Sequence, residues 1–162
     1  MKQSFWFFGA HVSILADEQA TNGLYDLVEG DFAAGSATPW HVHQAYAEEI
    51  YALSGELTVL TKGRATVLRA GEKAVVPPGV AHRVVGFSAG TARALTIASP
   101  SGFARLIKTL GVSAEVGSKP AGAPSLIKAA QAMAAVGDEV LGVPGFLMGV
   151  AKWCDDFIAK AA

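Results

Sequence analysis

The chain reads as an all-β sandwich or barrel followed by a short α-helical extension, and three features lead there. Short runs rich in β-branched and aromatic residues, each closed by glycine or proline, follow one another through the first hundred residues. Several of them alternate apolar and polar side chains, the two-residue period of a strand with one buried face. After Ser99-Pro100 the composition changes and helical spacing takes over.

Strands are expected at about 5–15, 24–30, 38–43, 48–54, 56–61, 64–69, 73–77, 82–86 and 91–98, a spacing typical of sandwiches and barrels. The opening Met1–Ala16 has a lysine before an apolar run, as a secretory leader does, but His11 and the alternation His11-Val12-Ser13-Ile14 mark it as a first strand. Thr61-Lys-Gly-Arg64 is a hairpin connection, and Ser88-Ala-Gly90 a second turn. Ser101 is placed to cap a helix from about Gly102 to Leu110, closed by Gly111. The stretch 117–124 reads as a linker, and Ser125 can cap a second helix from Leu126 to about Val136, ended by Gly137. A third helix, from about Phe146 to Ala161, puts Phe146, Leu147, Val150, Trp153, Cys154, Phe157 and Ile158 on one face. This organisation divides into a barrel over 1–104 and a helical extension over 105–162 that packs on the barrel or on a partner subunit.

Composition narrows the function. At 162 residues, 51% of them apolar, the chain can bury a sizeable core as one domain with an appendage. A net charge of −1 with interspersed signs offers neither a basic stripe for nucleic acid nor a polybasic run for lipid. No stretch approaches the ~20 apolar residues of a spanning helix, so no membrane association is expected. Cys154 is the only cysteine, which precludes an intrachain disulfide and fits a cytoplasmic setting. The apolar strand carrying Phe5, Trp6, Phe7 and Phe8 offers surface suited to a homodimer.

The candidate site is a set of metal-binding residue types at strand spacing. His41 and His43 flank Val42, so on a strand both imidazoles project to one face. Glu48 follows across the short stretch Gln44–Ala47, and a hairpin return is expected to bring its carboxylate beside the imidazoles. His82 follows a bend shaped by Pro77 and Gly79. Three imidazoles and one carboxylate suit one divalent transition metal, Fe, Mn, Ni, Co, Cu or Zn, with one or two positions left open. Alternation turns Glu49 and Arg83 away from this face, and His11 is read as an ordinary strand residue. Trp40, Tyr46, Ile50, Tyr51, Ala52, Val84 and Phe103 are candidates for the lining of a largely apolar substrate cavity, with Ile50, Ala52 and Val84 sharing strand parity with a ligand.

The frame Gly35-x5-His41-x-His43-x4-Glu48-x6-Gly55, followed after fifteen residues by Gly71-x5-Pro77-x-Gly79-x2-His82, resembles the two motifs of the cupin superfamily. One position departs: Gly86 stands where the second motif usually ends in Asn, a residue that is not a ligand. The resemblance implies a double-stranded β-helix, or jelly-roll barrel, with His41, His43, Glu48 and His82 around the metal. From Gly9 through Ser99-Pro-Ser-Gly-Phe-Ala-Arg105 and on to Gly111, the chain is similar to bacterial quercetin dioxygenase-like cupins. That similarity implies a dioxygenase-like oxidoreductase acting with O2 on a small aromatic or enolic compound, flavonol- or polyketide-like. Glu48 would then be both ligand and catalytic base, with a pKa raised by its apolar surroundings. A non-redox isomerase or cyclase, using the metal only as a Lewis acid, and a non-catalytic small-molecule binder are the alternatives, because one fold serves many reactions.

Overall fold

The computed structural model describes residues 3–86, 90–115, 117, 119–120 and 126–141. The first sheet contains β1 (Gln3–Phe7), β2 (Ala10–Ala16), β3 (Asp26–Phe32), β5 (Ala47–Ser54), β8 (Lys73–Val76), β10 (Ala92–Ser99) and β11 (Val112–Ser113). The second contains β4 (His41–His43), β6 (Glu56–Thr61), β7 (Arg64–Arg69), β9 (His82–Val85) and β12 (Asp138–Val140). Neighbouring strands pair antiparallel, in the orders β11-β1-β2-β3-β10-β5-β8 and β12-β4-β9-β6-β7. Among the described residues, three helices accompany them: α1 (Glu18–Thr21), α2 (Phe103–Leu110) and α3 (Leu126–Ala134).

The first expected strand is in fact a hairpin. Phe8 (φ 45°) and Gly9 (φ 81°) form its two-residue turn, with Phe7 opposite Ala10. Such turns need positive φ at both central residues, and only Gly9 signals this in the sequence. Strands β4 and β5 do not form the expected hairpin. They lie in different sheets, so Gln44–Tyr46 is a crossing between layers, and Glu48 meets the histidines across the interior instead of along a hairpin. The next crossing, from β5 to β6, turns on Gly55 (φ 71°), where a Cβ would lie 2.8 Å from the Cα of Ala92. The turn at Lys62-Gly63 joins β6 to β7 as expected, with Thr61 opposite Arg64.

Helix α2 begins where the sequence indicates but is capped differently. Gly102 occupies the cap position, and the Asp26 carboxylate of β3, 1% exposed, accepts hydrogen bonds from the Gly102 and Ala104 amides at 2.8 and 2.9 Å. Ser101 is therefore not the cap: an acid distant in sequence answers the partial positive charge of the helix start. The short α1, unexpected from the sequence, is capped by Asp17, whose side chain accepts from the Gln19 and Ala20 amides. Helix α3 ends at Ala134, and a turn through Gly137 (φ 81°) leads into β12, also unexpected, which pairs Asp138 with His43 and Val140 with His41.

Two apolar clusters fill the interior. Ile50, Ala52, Leu57, Val59, Leu68, Val76 and Val84 pack between the sheets at one end. At the other, Phe7, Val12, Ile14 and Val28 meet Leu106 and Ile107 of α2 and Met133 of α3. Phe5 and Phe8 pack against that second cluster, so much of the apolar strand considered as a dimer surface is covered within the chain. The expected third helix over 146–161, with Cys154, lies outside the described residues, as do Ser125 and most of the expected linker. Among the described residues, no helix is long and apolar enough to cross a membrane.

Candidate metal centre

Two neighbouring strands and one facing strand bring the four expected residues together. His41 of β4 lies directly opposite His82 of β9. His43 projects from the same face of β4, and Glu48 enters from β5 on the other sheet. All four are buried, and their ligand atoms lie within 4.8 Å of one another.

Hydrogen bonds on the far side of the rings set the tautomers. His41 Nδ1 is 2.9 Å from the Pro39 carbonyl and His82 Nδ1 is 3.0 Å from the Val80 carbonyl. A carbonyl only accepts, so each Nδ1 carries its proton and each neutral ring keeps its lone pair on Nε2. His43 differs, because its Nδ1 faces a carboxylate, Asp138 Oδ1, at 3.0 Å. Neither atom has a well-aligned hydrogen bond, so this close contact is electrostatic in character and bent from the N–H axis.

The residues fit a cation. Glu48 Oε2 stands 3.0 Å from His82 Nε2 and 3.4 Å from His43 Nε2. With Nδ1 protonated, a neutral His82 would turn a lone pair toward a carboxylate lone pair, an arrangement that needs a positive charge between them. His43 Nε2 is buried without a hydrogen-bond partner among the described residues. A divalent transition ion would answer both, and its usual ligands are neutral imidazoles and a carboxylate.

The electrostatics of the cluster are uneven. Burial, reinforced by the neighbouring His82 and His43, holds His41 at a pKa of about 3. Burial also opposes charge on His43, but Asp138 and Glu48 outweigh it and raise its pKa to about 9. For Glu48 burial pushes upward, yet the close approach of His43 and His82 prevails and leaves the carboxyl well below its ordinary range. The expected upward shift of Glu48 is thereby corrected: its two imidazole neighbours, more than the apolar surroundings, decide its protonation. Burial, together with Asp138 and Glu48, pushes the Tyr46 phenol far up.

The remaining candidates separate in space. Ile50 and Val84, with Phe7, Phe8, Phe32 and Phe103, line a cavity of about 40 Å³ beside Glu48. An adjoining cavity of about 30 Å³ touches His41, His43, Glu48, Leu106 and Met133. Ala52 and Tyr46 line neither: Ala52 is in the core, and Tyr46 stacks on His43 at 4.2 Å between ring centres. Glu49 turns outward to Tyr51 and Lys73, while His11 lies beside Trp6 and Asp31. A larger concavity, about 660 Å³ beside Trp6, Phe8 and Arg83, touches none of the four clustered residues. Sequence reasoning missed Asp138, because no motif spacing connects it to His43; only the pairing of β12 with β4 does.

Two facing antiparallel sheets around a buried cluster of three histidines and a glutamate define a double-stranded β-helix with a candidate metal site. The family model described as "Cupin domain" matches residues 28–98, which include all four residues, and this segment belongs to the cupin superfamily. Over 78 residues, 48% of this chain, it is 32% identical to quercetin 2,3-dioxygenase of Bacillus subtilis, but the match spans only 23% of that protein. The polyketide cyclase RemF from Streptomyces resistomycificus superposes with a TM-score of 0.51 at 26% identity, covering 57% of this chain and 66% of the cyclase. An oxalate oxidase in complex with the substrate analogue glycolate gives 0.50 at 27% identity, covering 57% and 52%. An RmlC-like cupin from Shewanella frigidimarina, 24% identical with a TM-score of 0.54 over 62% of this chain and 86% of that one, shows the shared fold.

Proposed function

We propose that this chain is a metal-dependent dioxygenase that holds one divalent transition metal through His41, His43, Glu48 and His82 and acts with O2 on a small enolic or phenolic compound. The observation that carries this reading is the convergence of three imidazoles and one carboxylate beside a largely apolar cavity. The similarity to quercetin 2,3-dioxygenase supports the choice of reaction. When bound, the metal supplies Lewis acidity and one or two open coordination positions.

The chain's own residues supply the rest. Phe7, Phe8 and Phe103 border both small cavities and keep water from the reacting oxygen. Glu48 borders both as well, which makes it the residue placed to accept a proton from the substrate. To do so it must loosen from His43 and His82, which hold its charged form; burial then raises its affinity for the proton. The two cavities have room for only about two or three water-sized molecules each, so an aromatic substrate requires the phenylalanine rings to part.

A non-redox cyclase is the second reading, favoured by the similarity to RemF. Oxygen-uptake measurements with flavonols and related enols separate the two. The dioxygenase reading expects substrate loss coupled to O2 consumption and abolished under anaerobic conditions. Equal conversion with and without O2 would replace it by the cyclase reading.

A further inference from the structure

We propose that Asp138 is a positioning residue for the metal site, delivered by the segment after the barrel, and that it orients His43 so that Nε2 faces the ion. This inference rests on the metal-binding reading above. Of the three clustered histidines, His41 and His82 have Nδ1 against backbone carbonyls, whereas His43 has Nδ1 3.0 Å from a carboxylate. Asp138 is 1% exposed, and its other oxygen, Oδ2, accepts a 2.8 Å hydrogen bond from the Tyr46 hydroxyl.

The arrangement is built by the backbone. Strand β12 pairs with β4 in a register that sets Asp138 opposite His43, while the Gln44 amide donates to the Gly137 carbonyl at 3.1 Å. Tyr46 holds the carboxylate from one side and stacks on the His43 ring, with ring planes 29° apart. Stacking restricts the tilt of the ring, and the charge of the nearby carboxylate favours the orientation that turns Nδ1 toward it. A carboxylate behind an imidazole also makes the distal nitrogen a stronger donor than a carbonyl does. The extension after α3 thus belongs to the site's working structure, as a support for one ligand.

The test uses Co(II), whose visible spectrum reports ligand geometry, with the full chain. Asp138→Asn keeps the side-chain shape and removes the charge; it is expected to weaken Co(II) binding by about 10–100-fold and to shift the visible bands. Tyr46→Phe, which leaves the carboxylate in place, is expected to have a smaller effect. Wild-type affinity and spectrum in Asp138→Asn would overturn the positioning role while leaving the metal site standing. Failure of the wild type to bind Co(II) would overturn both. Should Asp138→Asn not fold, nitrogen-15 NMR of the wild-type Zn(II) form decides: His43 protonated on Nδ1 supports the proposal, and His43 protonated on Nε2 refutes it.

Discussion

Replacing Asp26 by Ala should destabilise the protein well beyond an ordinary surface substitution, because this one carboxylate caps α2. It accepts two amide hydrogen bonds, at 2.8 and 2.9 Å, in a setting 1% exposed to solvent. Hydrogen bonds to a charged group contribute about 1.5–3 kcal/mol each, and removing the acceptor leaves two amides without a partner. Relief from burying a charge offsets part of that loss. The expected net cost is about 3–4 kcal/mol for Asp26→Ala and about 1–2 kcal/mol for Asp26→Asn, which retains an acceptor oxygen without the charge. Urea unfolding of the three proteins at matched metal content measures both differences. An Asp26→Ala protein within about 1 kcal/mol of the wild type would refute the capping argument. The functional consequence follows from position: α2 carries Phe103 and Leu106 to the cavities beside the cluster, so a loosened helix should also change KM.

Two further outcomes are expected at the site itself. Glu48→Ala should reduce metal affinity by at least the about 10–100-fold that loss of an outer-shell partner costs, and turnover should fall with it; full turnover would remove Glu48 from the mechanism. Phe103→Ala should lower KM for bulky flavonols, since one of the rings that must part is gone, at a stability cost of about 2 kcal/mol for a half-buried phenylalanine. An unchanged KM would show that Phe103 does not restrict entry.

The strands around the site are legible in the sequence because each motif residue has a local physical reason. His41 and His43 share a face by alternation, and Gly55 and Gly79 take the positive φ that the crossings and bends need. Partners chosen by tertiary contact are not legible. Asp26 replaces Ser101 as the cap from a distant strand, and β12 follows a helix with nothing in Asp138-Glu139-Val140 to assign its neighbour. Phe8 sits at positive φ where packing, not residue preference, holds it. The protonation of Glu48 escapes sequence reasoning for the same cause: apolar neighbours are visible in the sequence, whereas the approach of His43 and His82 to 3.4 and 3.0 Å requires the fold.

The proposed metal site consists of His41, His43, Glu48 and His82. Elemental analysis of the purified chain, before and after dialysis with Fe(II), Mn(II), Ni(II), Co(II), Cu(II) or Zn(II), tests it most directly. About one divalent ion per chain is expected in the wild type, with its loss in His82→Ala. A folded wild type that retains none of these ions, or a His82→Ala protein that retains the full amount, would contradict it.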